Sequence, residues 1–136
     1  MSTYLLDANV LLRFLTQDHP THSRAATALF EQAKAKVITL EVDPLILAEV
    51  IYALEGYYRK TRAEIASVLL RLVASPGIEA DPRPLILDAL RRYQHFGVDF
   101  ADAWLAALAV ARKTYVASFD RDLDKFSGVT RFEPRG

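Results

Sequence analysis

The sequence predicts an α/β protein, a three-layer α/β/α sandwich around a central, mainly parallel sheet. Three observations carry this. The runs TYLLD, KVITL, GIEA, TYVAS and VTRF are short, apolar and often β-branched or aromatic, as strands are. The stretches between them have helical period, so each strand is separated from the next by a helical crossover or a turn. Strands joined in that way pair in parallel and are covered by helices on both faces. A chain of 136 residues is one domain, 1–136, able to bury about two-thirds of its unfolded surface in a single core.

Each element has its own signal. TYLLD is a buried first strand ending at Asp7. NVLLRFLTQ follows as a short helix capped by Asn9. HPTHSRAATALFEQAKAK is amphipathic after Pro20, with Thr21 or Ser23 near its cap, and KVITL is the second strand. Asp43 before Pro44 is a good N-cap and N1 pair, opening a helix through LILAEVIYALEGYY to a stop near Gly56. TRAEIASVLLRLVAS is an amphipathic helix that ends before Pro76-Gly77. GIEA is a short third strand, and RPLILDALRRYQHF a helix ended by Gly97. DFADAWLAALAVA is the last helix, with Asp99 as its cap. The strand TYVAS, an aspartate-rich turn and the strand VTRF complete the chain. No internal repeat, low-complexity segment or long linker interrupts this order.

Composition removes several classes of function. Hydrophobic residues make up 51% and charged residues 25%, which is ordinary for a soluble globular chain. There is no cysteine, so disulfides, thiolate metal sites and cysteine nucleophiles are excluded. No apolar stretch reaches the ~18 residues needed to cross a bilayer, and the start MSTYLLDAN lacks a basic n-region. The expected compartment is the cytoplasm. Lys+Arg and Asp+Glu are both 17, so net charge gives no pull toward a polyanion. Basic residues nevertheless occur in small groups, among them Arg91-Arg92 and Arg121 with Lys125, that could line a phosphate-binding surface.

The acids are the informative residues. In parallel sheets ligands collect beyond the carboxyl ends of the strands. Asp7 ends the first strand and Asp120 follows TYVAS, so both are expected at one edge of the sheet. Glu49 is the only charge between Pro44 and Leu54, and Asp102 the only charge between Asp99 and Arg112. An isolated carboxylate in an apolar segment costs several kcal/mol unless a cation meets it. No basic residue is interleaved with these four. Oxygen donors without cysteine, and without histidine nearby, suit a hard ion, Mg²⁺ or Mn²⁺. The pattern therefore predicts a divalent metal beside Asp102.

Simpler readings exist for each acid singly. Asp7 and Asp120 fit turn positions, and Glu49 could pair with a distant arginine such as Arg13. Asp99 fits the cap of its helix, with Asp102 three positions on. Asp122 and Asp124 fit solvated or capping roles. DRDLDKF lacks the glycine and the final glutamate of a calcium loop. His19, His22 and His95 read as surface histidines, and Trp104 as core or interface. It is the joint occurrence of Asp7, Glu49, Asp102 and Asp120 that points to a site.

LLDANVLLRFL, PLILAEVIYAL, VDFADAWLAALA and ASFDRDLDKF, in this order, resemble the PIN domain, and more narrowly the VapC-type toxins of toxin–antitoxin pairs. The resemblance runs from about residue 4 to 132. It implies a PIN-like fold and an acidic quartet of Asp7, Glu49, Asp102 and Asp120. Asn9 matches a polar position supporting the first aspartate, and Ser118 a small polar residue before the last. Position 8 is alanine where many members carry threonine or serine, which removes a hydroxyl and no ligand.

The resemblance implies a metal-dependent endoribonuclease. A divalent ion held by Asp7, Asp102 and Asp120 would supply hydroxide near neutral pH. Glu49 would hold a second ion or orient the attacking water. Arg13, Arg91, Arg92, Arg121 and Lys125 are candidates for the RNA backbone. The resemblance also implies a VapB-type antitoxin, laid as an amphipathic helix in an apolar groove, and the apolar helices predict a homodimer.

Other classes fit less well. A phosphoacceptor receiver domain wants paired acids after the first strand, and LLDAN has one. An aspartyl phosphatase wants a D-x-D there, which is missing. A non-catalytic RNA-binding or assembly module of the same fold ranks below the nuclease because all four acids are present.

Overall fold

A computed structural model describes residues 2–136. In chain order the elements are β1 (Ser2–Leu5), α1 (Ala8–Thr16), α2 (Pro20–Lys34), β2 (Ile38–Glu41), α3 (Pro44–Gly56) and α4 (Arg62–Val73). Then come β3 (Ile78–Glu79), α5 (Arg83–Phe96), α6 (Phe100–Arg112), β4 (Val116–Ala117), a 3-10 turn (Arg121–Lys125) and β5 (Arg131–Phe132). All strand pairs are parallel, as crossover helices require.

Several boundaries follow from local chemistry. Asp43 caps α3, accepting from the Leu45 N–H at 2.8 Å ahead of Pro44. Thr61 and Glu64 form a reciprocal capping box at α4. Gly97 ends α5 in the left-handed region with φ 61°, where a side chain would be disfavoured. Other caps differ from expectation. Asp7, not Asn9, caps α1, accepting from Ala8 N–H, because the helix begins one residue after the aspartate. His19 caps α2 through Nδ1, which accepts from the His22 N–H at 3.0 Å.

Leu11, Leu40, Val50, Leu69, Ala89, Leu90, Tyr93, Ala103 and Ala107 are fully buried in one continuous core. Alanine on the inner face of α6 lets it approach α5 closely. Arg62 of α4 ties the far end of this packing: its guanidinium stacks on the Tyr93 ring at 4.4 Å and donates to the carbonyls of Tyr93 and Val98.

The sheet is in two parts: β1-β2-β3, and β4-β5. The first strand is not buried as expected. All four residues of β1 are exposed, Leu5 at 73%, because its only strand neighbour among the described residues is β2. No helix is long and apolar enough to cross a membrane, among the described residues.

Candidate functional site

The start of α6 and the loop after β4 bring acids together. Asp99 caps α6, its carboxylate accepting from the Asp102 N–H at 3.0 Å. Asp102 lies one turn in, half-buried. Its carboxyl is pushed up to about 6, first by burial and then by the charges of Asp99, Asp120 and Asp122. Like charges and desolvation both disfavour the ionised form.

Asp120 caps the 3-10 turn, accepting from the Asp122 N–H at 2.9 Å, while its own N–H donates to Ser118 Oγ at 2.9 Å. Ser118 is itself fixed: its N–H donates to the Phe132 carbonyl and its carbonyl accepts from Arg131. Asp99 and Ser118 are expected to support the site. They set the backbone that carries Asp102 and Asp120. Asp122, expected to be solvated, joins this group through its position two residues after Asp120 in a tight turn.

Asp7 and Glu49 differ from expectation in their exposure. Both are exposed, contrary to the expectation of buried acids, since Asp7 lies beyond the strand end and Glu49 faces outward from α3. Asp7 follows β1, which pairs with β2, and Asp120 follows β4, which pairs with β5. Asp120 is exposed as well. Among the described residues, no three acidic or histidine side chains lie close enough to hold a metal ion. The oxygen donors are of the kind that suits Mg²⁺ or Mn²⁺.

The basic candidates are partly engaged. Arg13 donates to Asp18 at 2.8 Å, and Tyr58 donates to the same carboxylate at 2.6 Å. These partners hold the Asp18 carboxyl well below the usual aspartate range, Tyr58 contributing most. Glu49 is therefore not the partner of Arg13. The Arg13–Asp18–Tyr58 network joins residues up to 45 apart, and no local pattern announces it. Arg92 pairs with Asp88 at 3.1 Å and lies over the Phe126 ring, and Lys125 pairs with Asp122 at 3.4 Å. Arg91 and Arg121 are exposed. Asn9 is exposed on α1 and lines, with Arg13, His22 and Leu29, an open cleft of about 550 Å³.

Comparison with known proteins now bears on this geometry. The family model described as "PIN domain" matches residues 4–129. The protein named "Ribonuclease VapC31" in Mycobacterium tuberculosis, in strains CDC 1551 / Oshkosh and ATCC 25618 / H37Rv, is 31% identical to this chain. In each case the match covers 96% of this chain and 98% of the relative. With its parallel strands, its covering helices and a match over nearly its whole length, the chain belongs to the PIN domain family.

Proposed function

We propose that this chain is an endoribonuclease of the VapC type, the toxin of a type II toxin–antitoxin pair, built as a single PIN domain over 1–136. The observation that carries the reading is the similarity over 96% of the chain to proteins named as ribonucleases. The acids at α6 and after β4 support it, because a carboxyl held near 6 can exchange a proton near neutral pH.

Asp7, Glu49, Asp102 and Asp120 are the proposed catalytic set, with Asp7, Asp102 and Asp120 as ligands for Mg²⁺ or Mn²⁺. Arg121 and Arg91, both exposed, are the freest of the proposed basic groups to meet an RNA phosphate. A VapB-type antitoxin, a homodimer and a cytoplasmic location belong to the same proposal.

The test is direct. Purified protein is incubated with several structured RNAs and Mg²⁺, Mn²⁺ or EDTA. Cleavage that chelation abolishes supports the reading, and cleavage indifferent to EDTA overturns the metal dependence. A second reading, a non-catalytic RNA-binding member of the fold, is favoured by the lack of a three-donor cluster among the described residues. RNA binding without cleavage in the same assay would select it.

A further inference from the structure

The start of α6, which carries Asp99 and Asp102, is held from outside by one side chain of α4. Arg62 Nη1 donates to the Tyr93 carbonyl at 2.8 Å and to the Val98 carbonyl at 2.5 Å. Tyr93 lies in the last turn of α5, whose carbonyls have no partners within the helix. Val98 is buried in the short corner Gly97-Val98-Asp99 between α5 and α6. One nitrogen therefore ties both sides of the corner, the helix that ends there and the residue before the Asp99 cap.

Arginine is a poor choice for this position on local grounds. Arg62 is the first residue of α4, where the helix dipole favours an acid and opposes a cation. Among the described residues no carboxylate pairs with it. What it gains are two carbonyls 31 and 36 positions away in sequence, and the face of the Tyr93 ring, 4.4 Å from the guanidinium carbon. A cation against two carbonyls and over a ring is favoured by both.

Tyr93 is itself locked. It is fully buried, its hydroxyl donates to the Glu55 carboxylate of α3 at 2.5 Å, and its ring meets Phe100 edge-on with centroids 6.3 Å apart. Phe100 is the first residue of α6. Side chains of α3, α4 and α5 thus converge on the turn that begins α6. That turn holds the Asp99 carboxylate, which accepts from the Asp102 N–H at 3.0 Å, and Asp102 itself.

We propose that Arg62 is a positioning residue for the acids of α6: it fixes the corner at Val98, and with it the placement of Asp99 and Asp102. It acts through the backbone and touches neither RNA nor metal in this role. Length and shape matter more here than charge. Lysine would end its ammonium one bond short, where the guanidinium carbon lies, and it lacks the flat face that rests on Tyr93. The consequence for cleavage rests on the nuclease reading above, but the clamp on the corner does not.

Arg62→Met and Arg62→Lys are compared with wild type in cleavage kinetics and in amide hydrogen exchange. The kcat for RNA cleavage should fall by about 10- to 100-fold in Arg62→Met and by a smaller factor in Arg62→Lys, while KM stays within about twofold. The amides of Asp102 and Ala103 both donate to Asp99. They should exchange about tenfold faster relative to the amide of Leu40, which donates to Gly77 in the sheet. A role in stability alone would speed all three amides alike through global unfolding, and that result overturns the proposal. So does an unchanged kcat, or unchanged exchange at Asp102 and Ala103. A loss confined to KM overturns it too, because Arg62 would then be an RNA contact. If Arg62→Met does not fold, Arg62→Lys decides by the same readings. A wild type that does not cleave RNA overturns the nuclease function, and the exchange rates then decide the clamp independently.

Discussion

The Asp99 carboxylate accepts the Asp102 backbone N–H at 3.0 Å, so the residue that starts α6 also sits beside the carboxyl that α6 carries. One contact does two things. It satisfies a helix-end donor, and it places a negative charge where it opposes ionisation of Asp102.

That opposition has a pH signature. The Asp102 carboxyl is near 6 in the folded chain against an ordinary value of 3.8. Folding therefore favours the protonated form, and this contribution is full below about pH 4 and lost as pH rises through about 6. In metal-free buffer, Asp102→Asn should melt at a higher temperature than wild type at pH 8, with the difference gone near pH 4. Equal melting temperatures at pH 8 would remove the like-charge account of this residue.

Asp7 and Asp120 each cap a helical turn, and asparagine caps as well as aspartate. Asp7→Asn and Asp120→Asn should therefore keep the fold while lowering RNA cleavage by at least about 100-fold, the scale of losing a positioned catalytic charge. Circular dichroism and a cleavage time course read the two effects separately. Wild-type cleavage in both variants would sink the site.

The Asp18 carboxylate is stabilised first by the Tyr58 hydroxyl and then by Arg13. Its depressed proton affinity supplies stability that is present above the ordinary 3.8 and lost as pH falls below it. Tyr58→Phe should lower the urea midpoint at pH 7, and the deficit should shrink as the pH is brought below about 4. A deficit independent of pH would show that Tyr58 acts through packing alone.

Arg121 is exposed, whereas Arg13 is held by Asp18. Arg121→Ala should weaken RNA binding and reduce the log–log salt slope by about 0.7, the share of one phosphate contact on a single strand. Arg13→Ala should leave that slope unchanged and lower stability instead. Filter binding across a salt series distinguishes them.

Gly77 has φ 80°, and a Cβ there would run into the Ala33 backbone carbonyl. Gly77 also supplies the carbonyl that accepts from Leu40 in the centre of β2, so neither chain can give way easily. Gly77→Ala should cost at least about 2 kcal/mol, from left-handed strain and backbone collision together. A chemical denaturation curve within 0.5 kcal/mol of wild type, roughly the noise of a surface change, would refute this.

Most of the local framework was legible in the sequence by itself. The Asp43-Pro44 start of α3, the Gly97 stop of α5 and the Asp99 cap of α6 depend on atoms within four residues, so residue identity decides them. The same holds for the alternation that predicts parallel strands and covering helices, and for the ordered motifs that carry the PIN resemblance. Tertiary structure alone decided how the acids stand. Asp7 and Glu49 are exposed and Asp102 half-buried, although each interrupts an apolar run, because burial depends on which faces of β1, α3 and α6 meet other elements. It also decided that β1 and β4 lie in separate sheets. Strand period says which side chains alternate, but not which edge a strand will find. Contacts such as Phe126 on Phe96, between residues 30 positions apart, are likewise encoded by no local pattern.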